Sequence, residues 1–476
     1  MDKTPVEAEY TSGDEASDDD EPHKDDVDEE GFTRLDHITI CVSFSGLAML
    51  LHSFFSVVIS GSQDILGGTF IPTTTILASH VTTMVIITSI LPWYMQKIPY
   101  LWRTLIIFAA MASGTVLIIL VDNVYVKIIG VSLNALAHGL GEISFLALSA
   151  FYGKFSLTSF AAGSGAGILL GPIYYTGNLS LSPCARSWLF NELSLNFLLP
   201  GMTSWFCVSP QISLTIIAPA TLLILLFYYI LDKDRIKPYA LLEKYNKLKT
   251  ADSECSDDYL TKEHFGHLSW GEKCTGACQI LPLMIALCSA YIAQYITIHA
   301  VFTTIAFEDA PFAPRDHFVY YVLVNGIGEF LFRSYLSAIA WFKPVLIPRF
   351  VVKHTWIFSL LLLAFMSLSV CASYYRIFDS VWSVLLICFI IGSLSGFVFA
   401  NTVCAVPLIV EPKYREFCLG LVTIGESAGV LFASLAGLAV EPILRKHCSH
   451  IASKTALCYT RPTTNKWSAS TCSIKG

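Results

Sequence analysis

The chain has 476 residues, of which 54% are hydrophobic and only 14% charged. A soluble protein of this length would carry about a quarter of its residues as charges, so an ordinary water-soluble fold is excluded. The net charge of −7 is local, because residues 1–30 hold 14 acidic side chains and two lysines, leaving 23 acidic against 28 basic elsewhere.

The acidic head, residues 1–36, has no apolar pattern and reads as a disordered cytosolic terminus. It lacks the basic and apolar regions of a signal peptide, so the first span must direct insertion itself. Beyond it, apolar runs separated by short polar connections predict an all-α polytopic membrane protein. Eleven segments read as spans: 38–61, 76–95, 101–121, 125–150, 156–176, 211–231, 279–306, 317–341, 355–373, 380–402 and 416–441. A polar linker, 232–275, divides a first half of six spans (37–231) from a second half of five (276–442), and 443–476 forms a tail.

With the N-terminus in the cytosol, 16 Lys and Arg fall in the cytosolic connections, eight of them in 232–275. Only Lys127, Arg186, Arg315 and Arg376 fall opposite, the asymmetry of the positive-inside rule. The tail disagrees: an odd number of spans sends it to the lumen, yet 442–476 carries six basic residues. Its side stays open at this level. In the loop after the fifth span, Cys184 and Cys207 would pair if they face an oxidising lumen.

Small residues recur every fourth position at Gly163, Gly167 and Gly171, at Gly392, Gly396 and Ala400, and at Gly425, Gly429, Ala433 and Gly437. Such stripes let helices approach closely in lipid. Tight packing explains them fully, so they speak for fold rather than chemistry.

Polar stripes speak for more. In the fourth span Asn134, His138 and Glu142 fall within about an 80° arc of one helix. The eighth repeats that i, i+4, i+8 spacing with Asn325, Glu329 and Arg333. The seventh adds Gln294 and His299, the tenth Asn401 and the eleventh Glu426. A charge at the bilayer centre costs about 2.5–3.5 kcal/mol on insertion scales, so these groups must face each other or water. That predicts an interior polar cavity of the kind in which solute carriers bind substrate. The bland alternative is local neutralisation, with Glu329–Arg333 and His138–Glu142 as intrahelical pairs. Arg333 offers a planar fork for phosphate or carboxylate. His138, Glu142, His299, Glu329 and Glu426 are the proton-coupling candidates, since imidazole and desolvated carboxyl groups can take up protons. The candidates to touch solute are Arg333, Asn134, Asn325, Asn401 and Gln294. The expected partners are a small anionic or zwitterionic solute, moved with or in response to protons, and membrane lipid.

These segments resemble the battenin family of lysosomal membrane proteins. The resemblance rests on "GLGEISFLALSAFY" (139–152), "GSGAGILLG" (163–171), "YYVLVNGIGEFLFRSYL" around Arg333 and "YREFCLGLVTIGESAG" (414–429), and covers most of 40–445. It implies a fold similar to the major facilitator and equilibrative nucleoside transporter superfamilies, in lysosomes and late endosomes. It also implies roles in lysosomal pH homeostasis and glycerophosphodiester export, with links to basic amino acid transport and autophagy. The family's functional residues carry over to Glu142, Arg333, Arg415 and Glu426. Arg415, with Gly163, Gly167 and Gly171, is read as structural or gating. This chain has Gln294 where relatives place a glutamate, which leaves a proton or cation role there without its carboxylate. It ends "CSIKG", without the prenylation box of some relatives. In place of an acidic dileucine signal, the linker offers "YALL" (Tyr239 to Leu242) and "YNKL" (Tyr245 to Leu248), patterns read by clathrin adaptors. An interfacial amphipathic helix would explain them equally well.

Two rival readings were weighed. An enzyme finds no support: there is no GxSxG elbow, no phosphate-binding GxxxxGK[ST] loop and no CxxC pair. The HxxH pairs "HFGH" (264–267) and "HCSH" (447–450) lack further metal ligands at helical spacing. No catalytic residue, cofactor, metal or nucleic-acid partner is expected, and Asn178 is the single N-glycosylation sequon. The other rival is a non-transporting scaffold or pH sensor that recruits partners through the linker and the acidic head.

Overall fold

Apolar helices of membrane-spanning length dominate the computed structural model, which describes residues 33–66, 74–176, 210–233, 268–310, 317–451 and 455–458. Residues 1–32 of the acidic head, Asn178, Cys184 and Cys207, the two tyrosine patterns and His264 to His267 lie outside the described residues, whereas residues 33–36, expected to be disordered, form the cap and first turn of α1. In chain order the long helices are α1 (Arg34–Ser60), α2 (Thr74–Ile90), α3 (Tyr100–Leu120), α4 (Val124–Ser149) and α5 (Gly153–Thr176). α6 is composite, with Pro210–Ile217 and Leu223–Ile230 joined by a 3-10 turn at Ala218–Leu222. Then follow α7 (Trp270–Ile296), α8 (His317–Phe342), α9 (Trp356–Tyr374), α10 (Val381–Ile409) and α11 (Arg415–Leu421 continued by Thr423–Ile451). Each predicted segment coincides with one of them, and among the described residues nine helical stretches are long and apolar enough to cross a membrane.

Helix starts follow from local chemistry. A capping box opens α1, where the Asp36 backbone N–H donates to Thr33 Oγ1 (3.3 Å) and the Thr33 N–H to the Asp36 carboxylate (2.9 Å). Ser269 and Glu272 repeat the device at α7. Past Ile296, α7 loosens into a π-turn at Thr297–Val301, which carries His299.

The glycine stripes set the closest helix pairs. Gly163, Gly167 and Gly171 pack α5 against α1, where a Cβ at Gly163 would run into the Ser45 backbone carbonyl. Gly392 and Gly396 press α10 onto the Asn325 and Glu329 backbone carbonyls of α8; Gly425 and Gly429 press α11 onto Met284 and Cys288 of α7.

Helices preceding residue 234 meet those following 267 mainly along α5 with α8 and α2 with α11. At the Lys/Arg-rich end the junction is latched. The Tyr100 hydroxyl donates to Glu416 (2.6 Å), Lys273 Nζ donates to the Trp93 carbonyl (2.5 Å), and Trp93 packs between Trp270 and Phe417. One apolar core runs through both sets of helices there. Toward the other end it gives way to two separate clusters, one around Val57, Ile118 and Val131, the other around Val301, Tyr321 and Val384.

The start of the tail sits at that second end. A Cys448–Cys458 disulfide folds it back, and the Ala306 N–H donates to the Leu457 carbonyl (3.1 Å). Residues 455–458 thus lie opposite the Lys/Arg-rich end, the side on which a disulfide suits an oxidising compartment.

Candidate functional site

Arg333, on α8, has no exposed surface. Its guanidinium joins four other helices. Nη1 donates to Ser164 of α5 (2.7 Å), Nη2 donates to the Tyr291 hydroxyl of α7, and Nη2 lies 3.6 Å from Glu426 of α11. The ring of Phe399, on α10, stacks 3.7 Å from the guanidinium carbon. Within its own helix Arg333 pairs with Glu329 at 2.7 Å, so the bland intrahelical pair exists but is one contact among several. Gly165 makes room, since a Cβ there would meet Arg333 Cβ at 3.1 Å.

Glu329 is held from its other oxygen by Gln294, whose amide donates at 2.9 Å. Gln294 therefore has a physical reading: a neutral amide completes the Arg333–Glu329 pair, where a carboxylate would oppose it. Above Tyr291, the rings of Tyr295 and His299 continue a stack along α7, with centroid separations of 6.0 and 5.1 Å. His299 thus belongs to an aromatic ladder that begins at Arg333's partner, and its outer neighbour is Phe318.

Glu142 of α4 is fully buried, and its carboxyl group meets no backbone donor but lies within hydrogen-bond reach of the Glu426 carboxyl group. The anticipated His138–Glu142 pair does not form. His138 instead turns to α1 and α2: its Nδ1 lies 3.3 Å from His80 Nε2, and its ring packs on His52 (4.8 Å) and Phe55 (5.2 Å). Glu142 faces Glu426 and His52, and ligating atoms of these three all lie within 4.8 Å of one another.

Other expectations separate from this cluster. Asn134 serves the α3–α4 contact, accepting from Thr115 and donating to the Gly130 carbonyl, both at 3.3 Å. Asn401 accepts from the Tyr335 hydroxyl (2.8 Å) and the Val352 N–H (2.7 Å), fastening α10 to the α8–α9 connection. Asn325 is buried where α8 meets Gly392, with Oδ1 unpaired. Arg415 lines a cavity of about 240 Å³ at the Lys/Arg-rich end, with Lys154, Thr158, Cys404 and Pro407. The groups converge, but not around the anticipated wet chamber: Arg333 and Glu142 are each 0% exposed and sit in dry packing. The stacked Phe399 ring and the Tyr291 hydroxyl close over the guanidinium.

His52 and His80 complete the cluster and lack any sequence stripe. Each is a histidine inside an apolar helix, a signal on its own terms. Neither has an acid at helical spacing on its own helix, so no intrahelical stripe marks them.

A buried ionisable cluster where two sets of helices meet, in an all-helical bundle, defines a multi-pass membrane protein with the fold of major facilitator superfamily transporters. The solved proton:xylose symporter XylE, bound to 6-bromo-6-deoxy-D-glucose, is similar at a TM-score of 0.51 and 13% identity, covering 90% of this chain and 93% of that one. The chain belongs to the CLN3 protein family, whose profile matches residues 42–448. Protein BTN1 of Kluyveromyces lactis is 27% identical over 83% of this chain and 91% of its own. Protein BTN1 of Debaryomyces hansenii is 28% identical over 85% of this chain and 93% of its own. The resemblance to the battenin family seen in the sequence is therefore one of membership.

Proposed function

We propose that this protein is a carrier of the lysosomal and late-endosomal membrane that exports small anionic or zwitterionic metabolites, with glycerophosphodiesters as the expected class. The single observation that carries the proposal is Arg333: a permanent cation, wholly buried, touching side chains of α5, α7, α8, α10 and α11. Structural charge alone needs one partner; this guanidinium draws on helices from both sides of the junction, so its environment changes when they move. Nε has no hydrogen-bond partner, leaving a donor for a phosphodiester oxygen. Transport then proceeds by rocking of 37–231 against 276–442. The latched Lys/Arg-rich end is assigned to the cytosol and the divided end to the lumen. Export of such breakdown products would tie the protein to lysosomal pH homeostasis, and the tyrosine patterns in 232–275 would deliver it through clathrin adaptors.

A scaffold or pH sensor is the second reading, favoured by the dry intrahelical Arg333–Glu329 pair. Vesicles reconstituted with the purified chain and given radiolabelled glycerophosphodiester, with and without an acid gradient, separate the two. A carrier accumulates label above empty vesicles in at least one arm. Correctly folded protein that accumulates none in either arm is the scaffold.

A further inference from the structure

We propose that His52, Glu142 and Glu426 form a binding site for a divalent transition-metal cation of the Zn²⁺ or Mn²⁺ type. The three come from α1, α4 and α11, and their exposures are 2, 0 and 7%. One ligating atom from each lies within 4.8 Å of the other two. Glu142 Oε1 and Oε2, Glu426 Oε2 and His52 Nε2 are buried and none meets a backbone N–H, while the Glu142 and Glu426 carboxyl groups lie within hydrogen-bond reach of each other. Buried polar atoms are seldom left so, because each carries its full desolvation cost. One such atom from each of three residues faces the others across a gap that a cation would fill.

The histidine is set up as a ligand. His52 Nδ1 lies 3.0 Å from the Ala48 carbonyl, which only accepts, so the proton sits on Nδ1 and Nε2 keeps a lone pair free to ligate. A backbone carbonyl fixing the remote ring nitrogen is the usual outer support of a metal-bound imidazole. Charge points the same way. Arg333 is 2.7 Å from Glu329 but 3.6 Å from Glu426, so its charge is opposed chiefly by Glu329. Glu142 and Glu426 remain as two adjacent carboxylates, and a divalent cation balances both.

The donor set selects the ion. Na⁺, Mg²⁺ and Ca²⁺ prefer all-oxygen sites, whereas one imidazole with two carboxylates suits Zn²⁺ or Mn²⁺. Zinc bonds of about 2.0–2.2 Å place tetrahedral ligand atoms roughly 3.4 Å apart, so separations of up to 4.8 Å must close by as much as about 1.4 Å, through side-chain rotation. Three protein ligands leave one position for water or an anionic oxygen next to Arg333. That last role rests on the carrier reading; binding of the ion does not.

The test uses the full chain in detergent, stripped with chelator and titrated with Zn²⁺ by calorimetry and with Co²⁺ by visible absorption, with no solute present. The expected result is one high-affinity ion per chain, weakened at least tenfold in both His52→Asn and Glu142→Gln, with Co²⁺ bands of a four-coordinate nitrogen–oxygen site. Variants at the HxxH pairs, His447→Ala/His450→Ala and His264→Ala/His267→Ala, should retain it. No stoichiometric binding to the wild type, whatever the variants do, overturns the site. Binding lost only with an HxxH variant overturns it equally. Neither outcome touches the carrier reading, which is judged by uptake.

Discussion

Removing one hydroxyl at the latched end should shift the resting conformation. In Tyr100→Phe the ring and its stacking with Arg103, 4.1 Å from its centroid, are retained, while the 2.6 Å bond to Glu416 is lost. A hydrogen bond to a charged group contributes about 1.5–3 kcal/mol net. Glu416 is only half-buried, so water recovers part of that in the variant, and the lower end of the range applies. A loss of about 1.4 kcal/mol in the latched state alone is a tenfold shift between latched and unlatched forms. Spin labels at exposed Lys97 and Ile409, in a chain with exposed Cys274, Cys278 and Cys371 replaced, report it as a distance distribution. The account predicts a second, longer population in Tyr100→Phe, and one larger still when Lys273→Met also removes the bond to Trp93. An unchanged single distribution in both variants would refute the idea that this end opens as a gate.

Glu329→Gln should lower stability by about 3–5 kcal/mol, because it leaves Arg333 buried without its nearest counter-charge; thermal unfolding in detergent measures it. Gly163→Ala should cost about 1–3 kcal/mol by the same assay through collision with the Ser45 backbone. Gly437→Ala, whose new Cβ meets only Ala300 at 3.4 Å, should instead gain up to about 1 kcal/mol from helix propensity. Cys448 and Cys458 should resist alkylation until reduced; ready labelling of both in unreduced protein would remove the clamp on the tail.

Helix positions and small-residue stripes were readable because both depend on local period: 3.6 residues per turn and a glycine every fourth. Convergence of Glu142, Glu329, Arg333 and Glu426 was readable for a related reason, since lipid leaves buried charges little choice but each other. What a stripe does not reveal is which neighbour a side chain meets. Asn134 and Asn401 share the polar character of the cluster but are occupied by Thr115 and by Tyr335 with Val352. Likewise His138 passes over Glu142, one turn away, for His80 and His52 on other helices. His52, His80, Tyr291 and Phe399 matter through contacts between helices, and no intrahelical spacing marks such contacts. The position of residues 455–458 needed Cys458 placed beside Cys448, because the basic count of 442–476 argued the other way.

Arg333→Lys tests the central claim most directly. Lysine keeps the charge but its single nitrogen cannot reach Ser164, Tyr291 and Glu329 while also presenting a planar fork to phosphate. In reconstituted vesicles, with folding of the variant verified by gel filtration, glycerophosphodiester uptake should fall at least a hundredfold. Uptake by the lysine variant equal to that of the wild type would contradict the account.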